Sequence, residues 1–183
     1  MRVISGSKKG IPLQAIPGKG TRPTVDKVKE AIFSMVGPYF NGGIALDLYA
    51  GTGGLGIEAL SRGVEKVIFV DSDRKAIEII KQNLAKTEFL DQAEVYKNES
   101  GRALKALTKR KLPFDLVFLD PPYAYQRIES EIAILHDFGL LNQGAIIIAE
   151  TDSEVEFPDS IGQIYKEKET EYGNTRITVF RRP

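Results

Sequence analysis

Gly51-Thr52-Gly53-Gly54-Leu55-Gly56 follows the apolar run Ile44–Leu48 and opens the helix-forming stretch Leu55–Ser61. A glycine turn between a strand and a helix lets the backbone come close to a nucleotide or nucleoside, because glycine accepts the tight turn and puts no side chain in the way. Outward from this turn, short apolar runs alternate with helical stretches. Lys66–Val70, Ala93–Tyr96, Asp115–Leu119 and Ala145–Ala149 read as strands. Arg74–Lys86, with Ala76, Ile77, Ile80 and Leu84 at helical spacing, reads as a helix, as do Gly101–Thr108 (Ala103, Leu104 and Leu107 on one face) and Ile128–Phe138. The alternation specifies an α/β fold, a mostly parallel sheet with helices on both faces.

Both ends break that rhythm. Gln163–Lys168 and Arg176–Phe180 flank Gly173-Asn174 and predict an antiparallel C-terminal hairpin. Val3–Ile4 and Ile11–Leu13 around Ser5–Gly10 predict a small N-terminal hairpin. A loop rich in glycine and proline then runs from Ala15 to Pro23. A helix is expected to start near Thr24 as N-cap, with Val28, Ala31, Ile32 and Met35 on its apolar face. No linker interrupts the chain, so the expectation is one domain over 24–183 with an N-terminal extension over 1–23.

The 183 residues include no cysteine and one histidine, His136, which excludes disulfides, thiolate metal sites and multi-histidine centres. No apolar run reaches the ~20 residues of a membrane span. No apolar segment follows Arg2, so no secretory signal is expected and the location read is cytoplasmic. Net charge is zero but uneven: residues 1–29 hold seven basic side chains against Asp26 alone, a net +6, and the other 154 residues carry −6. A basic arm on an acidic body suits a polyanionic partner; a solvated lysine-rich segment reads the same. His136 and the arginines Arg102 and Arg127 read as helix-surface positions, and Arg181 and Arg182 as a soluble tail.

The glycine turn alone fits a dinucleotide as well as S-adenosylmethionine. Asp71, at the end of the second strand, is placed to accept two ribose hydroxyls in either case. Two features favour S-adenosylmethionine. Asp47, in the first strand, suits a cationic amino-acid end and would repel a pyrophosphate. Asn98-Glu99-Ser100 after the third strand offers a side-chain acceptor and the Ser100 N–H to an adenine, although Glu99 and Ser100 also read as a helix cap. Tyr49, Gly51, Thr52, Gly53 and Ser72 complete the candidate cofactor set, with Asp120 shared between cofactor and chemistry.

Asp120-Pro121-Pro122-Tyr123 ends the fourth strand, at the edge where open α/β sheets bind ligands. An exocyclic amine on a base is a poor nucleophile because its lone pair is delocalised. The Asp120 carboxylate and the Pro121 carbonyl together offer acceptors for its two N–H bonds. Pro122 holds Pro121 extended, and Tyr123 offers a face on which the base stacks. These four residues are the candidate catalytic set.

With these motifs in hand, the chain resembles class I methyltransferases, and more closely the RsmD family of bacterial small-subunit ribosomal RNA guanine-N2 methyltransferases. The resemblance rests on Arg2-Val3-Ile4-Ser5-Gly6 with Lys9-Gly10, on Thr21-Arg22-Pro23-Thr24 followed by Val28–Phe33, on Leu46–Gly63, and on Asp120-Pro121-Pro122-Tyr123. It implies a Rossmann-like, seven-stranded sheet whose C-terminal hairpin is antiparallel. It implies S-adenosylmethionine as cofactor, ribosomal RNA or the 30S particle as partner, no metal, no membrane and a monomer. It also implies that the N-terminal hairpin and the Arg22 loop face the RNA, with Arg2, Lys8, Lys9, Arg22 and Thr24 as candidate substrate-binding residues. Asp71 stands where the family often has glutamate, and Glu99 where aspartate is more usual. A DNA adenine-N6 methyltransferase carries the same tetrapeptide, but 183 residues leave little room for a target-recognition domain. A nicotinamide-dependent oxidoreductase and a cofactor-binding protein without catalysis remain further alternatives.

Overall fold

The computed structural model describes residues 1–17, 23–122 and 127–183, with residues 23–25 described by backbone alone. The elements run α1 (Pro23–Val36), β1 (Ile44–Asp47), α2 (Gly54–Ser61), β2 (Lys66–Asp71), α3 (Arg74–Lys86), a 3-10 turn (Leu90–Gln92), β3 (Ala93–Lys97), α4 (Ser100–Thr108), β4 (Phe114–Leu119), α5 (Ile128–Asp137), β5 (Leu141–Asp152), β6 (Ser160–Ile161), β7 (Ile164–Tyr172) and β8 (Thr175–Arg181). One sheet orders them β3-β2-β1-β4-β5-β8-β7-β6. Strands β1 to β5 pair parallel among themselves, and β8 pairs antiparallel with both β5 and β7.

The sheet therefore has eight strands where seven were expected. The extra one, β6, is two residues long and pairs only Ser160 with Tyr165 and Ile161 with Ile164, too short to leave an alternating pattern. Two other expectations are corrected. Helix α1 begins at Pro23, one residue before the predicted cap Thr24, because proline at the first helical position gives up an N–H that has no partner there anyway. Arg181 is no soluble tail: it closes β8, and its Nε donates to Glu167 Oε1 at 2.9 Å.

Strand side chains alternate between two cores, as period-2 geometry demands. Ala45, Val67, Phe69, Leu116, Phe118, Ile148, Ile177 and Val179 face α1, α2 and α3. Leu46, Ile68, Val70, Val117, Leu119, Ile147, Ala149 and Phe180 face α4 and α5. Gly56 is where α2 meets the sheet: a Cβ there would stand 2.3 Å from Phe69 Cε1, so only glycine allows the approach.

The N-terminal hairpin is looser than two strands. A single antiparallel bridge joins Arg2 to Pro12, supported by Val3 N–H to Ile11 C=O (2.9 Å) and Leu13 N–H to Met1 C=O (2.8 Å). It is nonetheless part of the body, since Val3 and Leu13 are buried in the first core. Glu58 of α2, fully buried, accepts from the backbone N–H groups of Ile4 (2.9 Å) and Ser5 (3.0 Å). Buried Asn83 of α3 exchanges two hydrogen bonds with the backbone of Gln14 and donates to Thr52 C=O at 2.9 Å. One amide thus ties the N-terminal segment to the glycine turn.

Candidate active site

The chain switches direction across the sheet between β1 and β4, and open α/β sheets bind ligands beyond the strand ends at such a point. Asp47 closes β1 and Asp120 follows the last residue of β4 there. The glycine turn is built by its own acids. Gly51 N–H donates to Asp71 Oδ2 (2.8 Å), Asp73 N–H donates to Asp71 Oδ1 (2.9 Å), and Gly56 N–H donates to Asp47 Oδ2 (3.1 Å). Asp47 therefore holds the first turn of α2 as well as lining the cleft. Burial pushes its carboxyl up to about 7, against the Gly56 hydrogen bond and with Asp71 adding to the rise. Gly51 has φ +57°, and nothing lies within 4 Å of where a Cβ would stand, so the backbone is open to a ligand at that point.

At the end of β4, Asp120 is open to the cleft. Desolvation, then the neighbouring Glu150 carboxyl, then Asp47, hold its carboxyl well above the ordinary carboxylate range. Pro121 is buried and Pro122 exposed. Tyr123 lies outside the described residues, as does Arg22, and so does the side chain of Thr24.

The third corner is the start of α4. Glu99 caps that helix, with Gly101 N–H donating to its Oε1 at 3.0 Å, so the capping role read from the sequence is present. Glu99 also lines the cleft beside Asn98 and Ser100, with Arg127 Nη1 3.6 Å from its Oε1. Tyr49 is placed from below: its hydroxyl donates to Glu131 Oε2 (2.7 Å), with Ser100 Oγ 3.0 Å away. Burial raises the Glu131 carboxyl, and its other oxygen has no partner among the described residues.

One cleft of about 1520 Å³ joins these corners, and Asp47, Tyr49, Gly51, Thr52, Asp71, Ser72, Glu99, Ser100, Asp120, Pro121 and Pro122 all line it. Gly53 does not; with φ +82° it is the left-handed N-cap of α2. Pockets for one small ligand run to ~300–1,000 Å³, so this cleft has room for a cofactor and a base together. Among the described residues six acidic side chains line it (Asp47, Asp71, Glu99, Asp120, Glu150 and Asp152) against Lys27, Lys29 and Arg127. Such a field favours a cation over a pyrophosphate.

The predicted basic arm is divided. Arg2 and Lys9 are exposed and outside the cleft lining. Lys8 stands 3.5 Å from Glu88 and over the Phe89 ring. Met1, Lys27 and Lys29 reach the cleft instead. Sequence reasoning missed Glu150, Glu131 and the hairpin turn Tyr172–Thr175, which also lines the cleft. Glu150 had a usable signal: it follows the predicted strand Ala145–Ala149, the position that singled out Asp120 one strand earlier.

The strand order and antiparallel hairpin are those of class I methyltransferases. A solved structure described as "Putative methyltransferase yhhF from Escherichia coli" matches with a TM-score of 0.85 and 30% identity, covering 100% of this chain and 97% of that one. The chain belongs to the family described as Conserved hypothetical protein 95, whose model matches residues 1–181; this is the RsmD family that the motifs resemble. It is 50% identical over 182 residues to "Putative rRNA methyltransferase YlbH" of Bacillus subtilis (strain 168), covering 100% of this chain and 99% of that protein. It is 37% identical over 155 residues to "Ribosomal RNA small subunit methyltransferase D" of Haemophilus influenzae, covering 84% and 80%.

Proposed function

We propose that this chain transfers the methyl group of S-adenosylmethionine to the exocyclic N2 of a guanine in small-subunit ribosomal RNA. The observation that carries the reading is the meeting of Asp120-Pro121-Pro122 with the glycine turn and Asp71 in one acidic cleft. The residues fit the cofactor. Asp71 would hold the ribose and Glu99 with Ser100 the adenine; the open backbone at Gly51 and the Asp47 carboxyl would receive the cationic amino-acid end. Tyr49, Thr52, Gly53 and Ser72 shape the rest of that site. When bound, the cofactor supplies a sulfonium methyl, which leaves its electron pair on sulfur as the amine takes the carbon.

The protein's own part is positioning and electrostatics. Asp120 and the Pro121 carbonyl accept the two N–H bonds of the amine and draw its nitrogen toward a pyramidal shape. Pro122 restrains Pro121, and Tyr123 stacks on the base. Asp120 then takes the proton that the methylated nitrogen sheds. A base reaches such a cleft only from a single strand or when flipped out of its helix. Arg2, Lys8, Lys9, Arg22 and Thr24 are assigned to the RNA backbone, and Lys27 and Arg127 join them from the cleft wall. The choice of guanine N2 rests on family membership and the Arg22-Pro23-Thr24 segment.

The test is methyl transfer from labelled S-adenosylmethionine to 30S particles, to naked small-subunit RNA and to duplex DNA, with the modified nucleoside mapped by mass spectrometry. N2-methylguanosine in small-subunit RNA is expected. Transfer to DNA alone, or methylated adenine, overturns the reading. Calorimetric titration adds a check: NAD binding without S-adenosylmethionine binding would point to redox chemistry instead.

A further inference from the structure

Strands β4 and β5 run parallel with Leu119 beside Ala149, so the next residues, Asp120 and Glu150, emerge side by side at the carboxyl edge. Both line the cleft, and each carboxyl displaces the titration of the other, as neighbouring groups do. Two adjacent carboxyl groups bond to each other only when a proton lies between them. Among the described residues no lysine or arginine forms an ion pair with either. Strand alternation puts both on the sheet face that carries α1, together with Asp47. The other charged groups near this face are already engaged or stand apart. Lys29 of α1 is held by Glu58, Arg176 of β8 by Glu171 and Glu169, and Asp152 of β5 caps the N–H of Glu154. Lys27 of α1 is exposed at the cleft wall.

We propose that Glu150 is the positioning residue for Asp120: the proton the two carboxyls share acts as the hydrogen-bond donor that fixes Asp120 with an oxygen free for the amino group of the base. This rests on the methyl-transfer reading above. Docking of an amine on Asp120 favours its ionised form, so the shared proton then resides on Glu150, which donates to Asp120 and takes no direct part in the reaction. Burial raises both carboxyls, which keeps one proton on the pair near neutral pH. When that proton leaves at higher pH, two adjacent negative charges repel and Asp120 loses its fixed orientation.

Glutamine at position 150 is a permanent copy of the protonated glutamic acid, because its amide donates and does not titrate. Glu150→Gln should keep transfer within about 3-fold of wild type at neutral pH and lack the alkaline decline expected of wild type. Glu150→Ala should lose about 10- to 100-fold in kcat at every pH, as misplacement of a catalytic group does, with KM for S-adenosylmethionine little changed. Infrared spectra of the protein alone supply a second readout: the wild-type minus Glu150→Gln difference should contain a protonated-carboxyl band at neutral pH. Glu150→Ala at wild-type rate, Glu150→Gln as slow as Glu150→Ala, an alkaline limb that survives in Glu150→Gln, or no carboxyl band in the difference each overturns the proposal. Because the infrared result needs no substrate, it stands or falls separately from the choice of RNA as methyl acceptor.

Discussion

Two groups of charge lie on the same side of the sheet and are built in opposite ways. Around Glu58 every charge has a partner. Its oxygens receive Arg62 Nε at 2.7 Å, Lys29 Nζ at 3.3 Å and two backbone N–H groups, and Lys29 also donates to Arg2 C=O at 2.6 Å. The Arg62 guanidinium further stacks over the Phe33 ring, 4.8 Å from its centroid. At the end of the parallel strands, Asp47, Asp120 and Glu150 crowd together with no cation bonded to them among the described residues, and all three are held above the usual carboxylate range. Compensated charge of the first kind holds the N-terminal segment to α2. Uncompensated charge of the second kind is a cost to the fold, and strong displacement of titration in a cleft marks a place where a ligand is meant to complete the site.

The contrast is most exposed to failure at Asp120. Asp120→Ala should slow methyl transfer by about 10²- to 10⁴-fold, while the urea midpoint stays level or rises, because one of three crowded carboxyls is gone. A variant that transfers at the wild-type rate would remove Asp120 from the chemistry. Glu58→Ala should do the reverse. It leaves Lys29 and Arg62 buried without their counter-charge, at a cost of about 3–5 kcal/mol in urea unfolding. A cost within experimental error would show that the cluster is not what secures the N-terminal segment.

Asp47→Asn has the smallest effect at any single pH step and tests the cleft through its pH dependence. The Asp47 carboxyl is raised from 3.8 to about 7, so the folded protein keeps a proton in that window that the unfolded chain has released. Stability is therefore lost as pH rises from about 4 to about 7, and it levels off above that. The asparagine oxygen can still accept from Gly56 N–H and does not titrate. The variant should lack this part of the slope, a difference on the order of 4 kcal/mol across the window. Parallel pH–stability curves for the two proteins would show that Asp47 is ionised in the fold.

Much of this was legible beforehand. The bounds of α3 match those read from its apolar spacing, and β2, β3, α4 and α5 lie within a residue or so of theirs. The C-terminal hairpin turns at Gly173-Asn174 as its alternation required. The acids at the strand ends, Asp47, Asp71 and Asp120, meet at one cleft because parallel strands deliver their carboxyl ends to one edge. Lys8 shows what was not legible. Its place in a basic arm offers it to RNA, but nothing local in the sequence announces that it also stands beside Glu88 and Phe89.

By itself, then, the sequence determined what depends on near neighbours: helical and strand periodicity, the glycine turn that opens α2, and the Asp-Pro-Pro-Tyr chemistry after β4. Tertiary structure alone decided which distant groups share a proton or a charge. Glu150 stands beside Asp120 because β5 settles next to β4 in one register. Glu58 holds Ile4 and Ser5 because α2 packs over the N-terminal hairpin. Asn83 joins Gln14 to Thr52 across α3. Periodicity is set by backbone geometry within a few residues. The pairing of buried polar groups is set by which surfaces lose water together, and the sheet order and helix docking decide that.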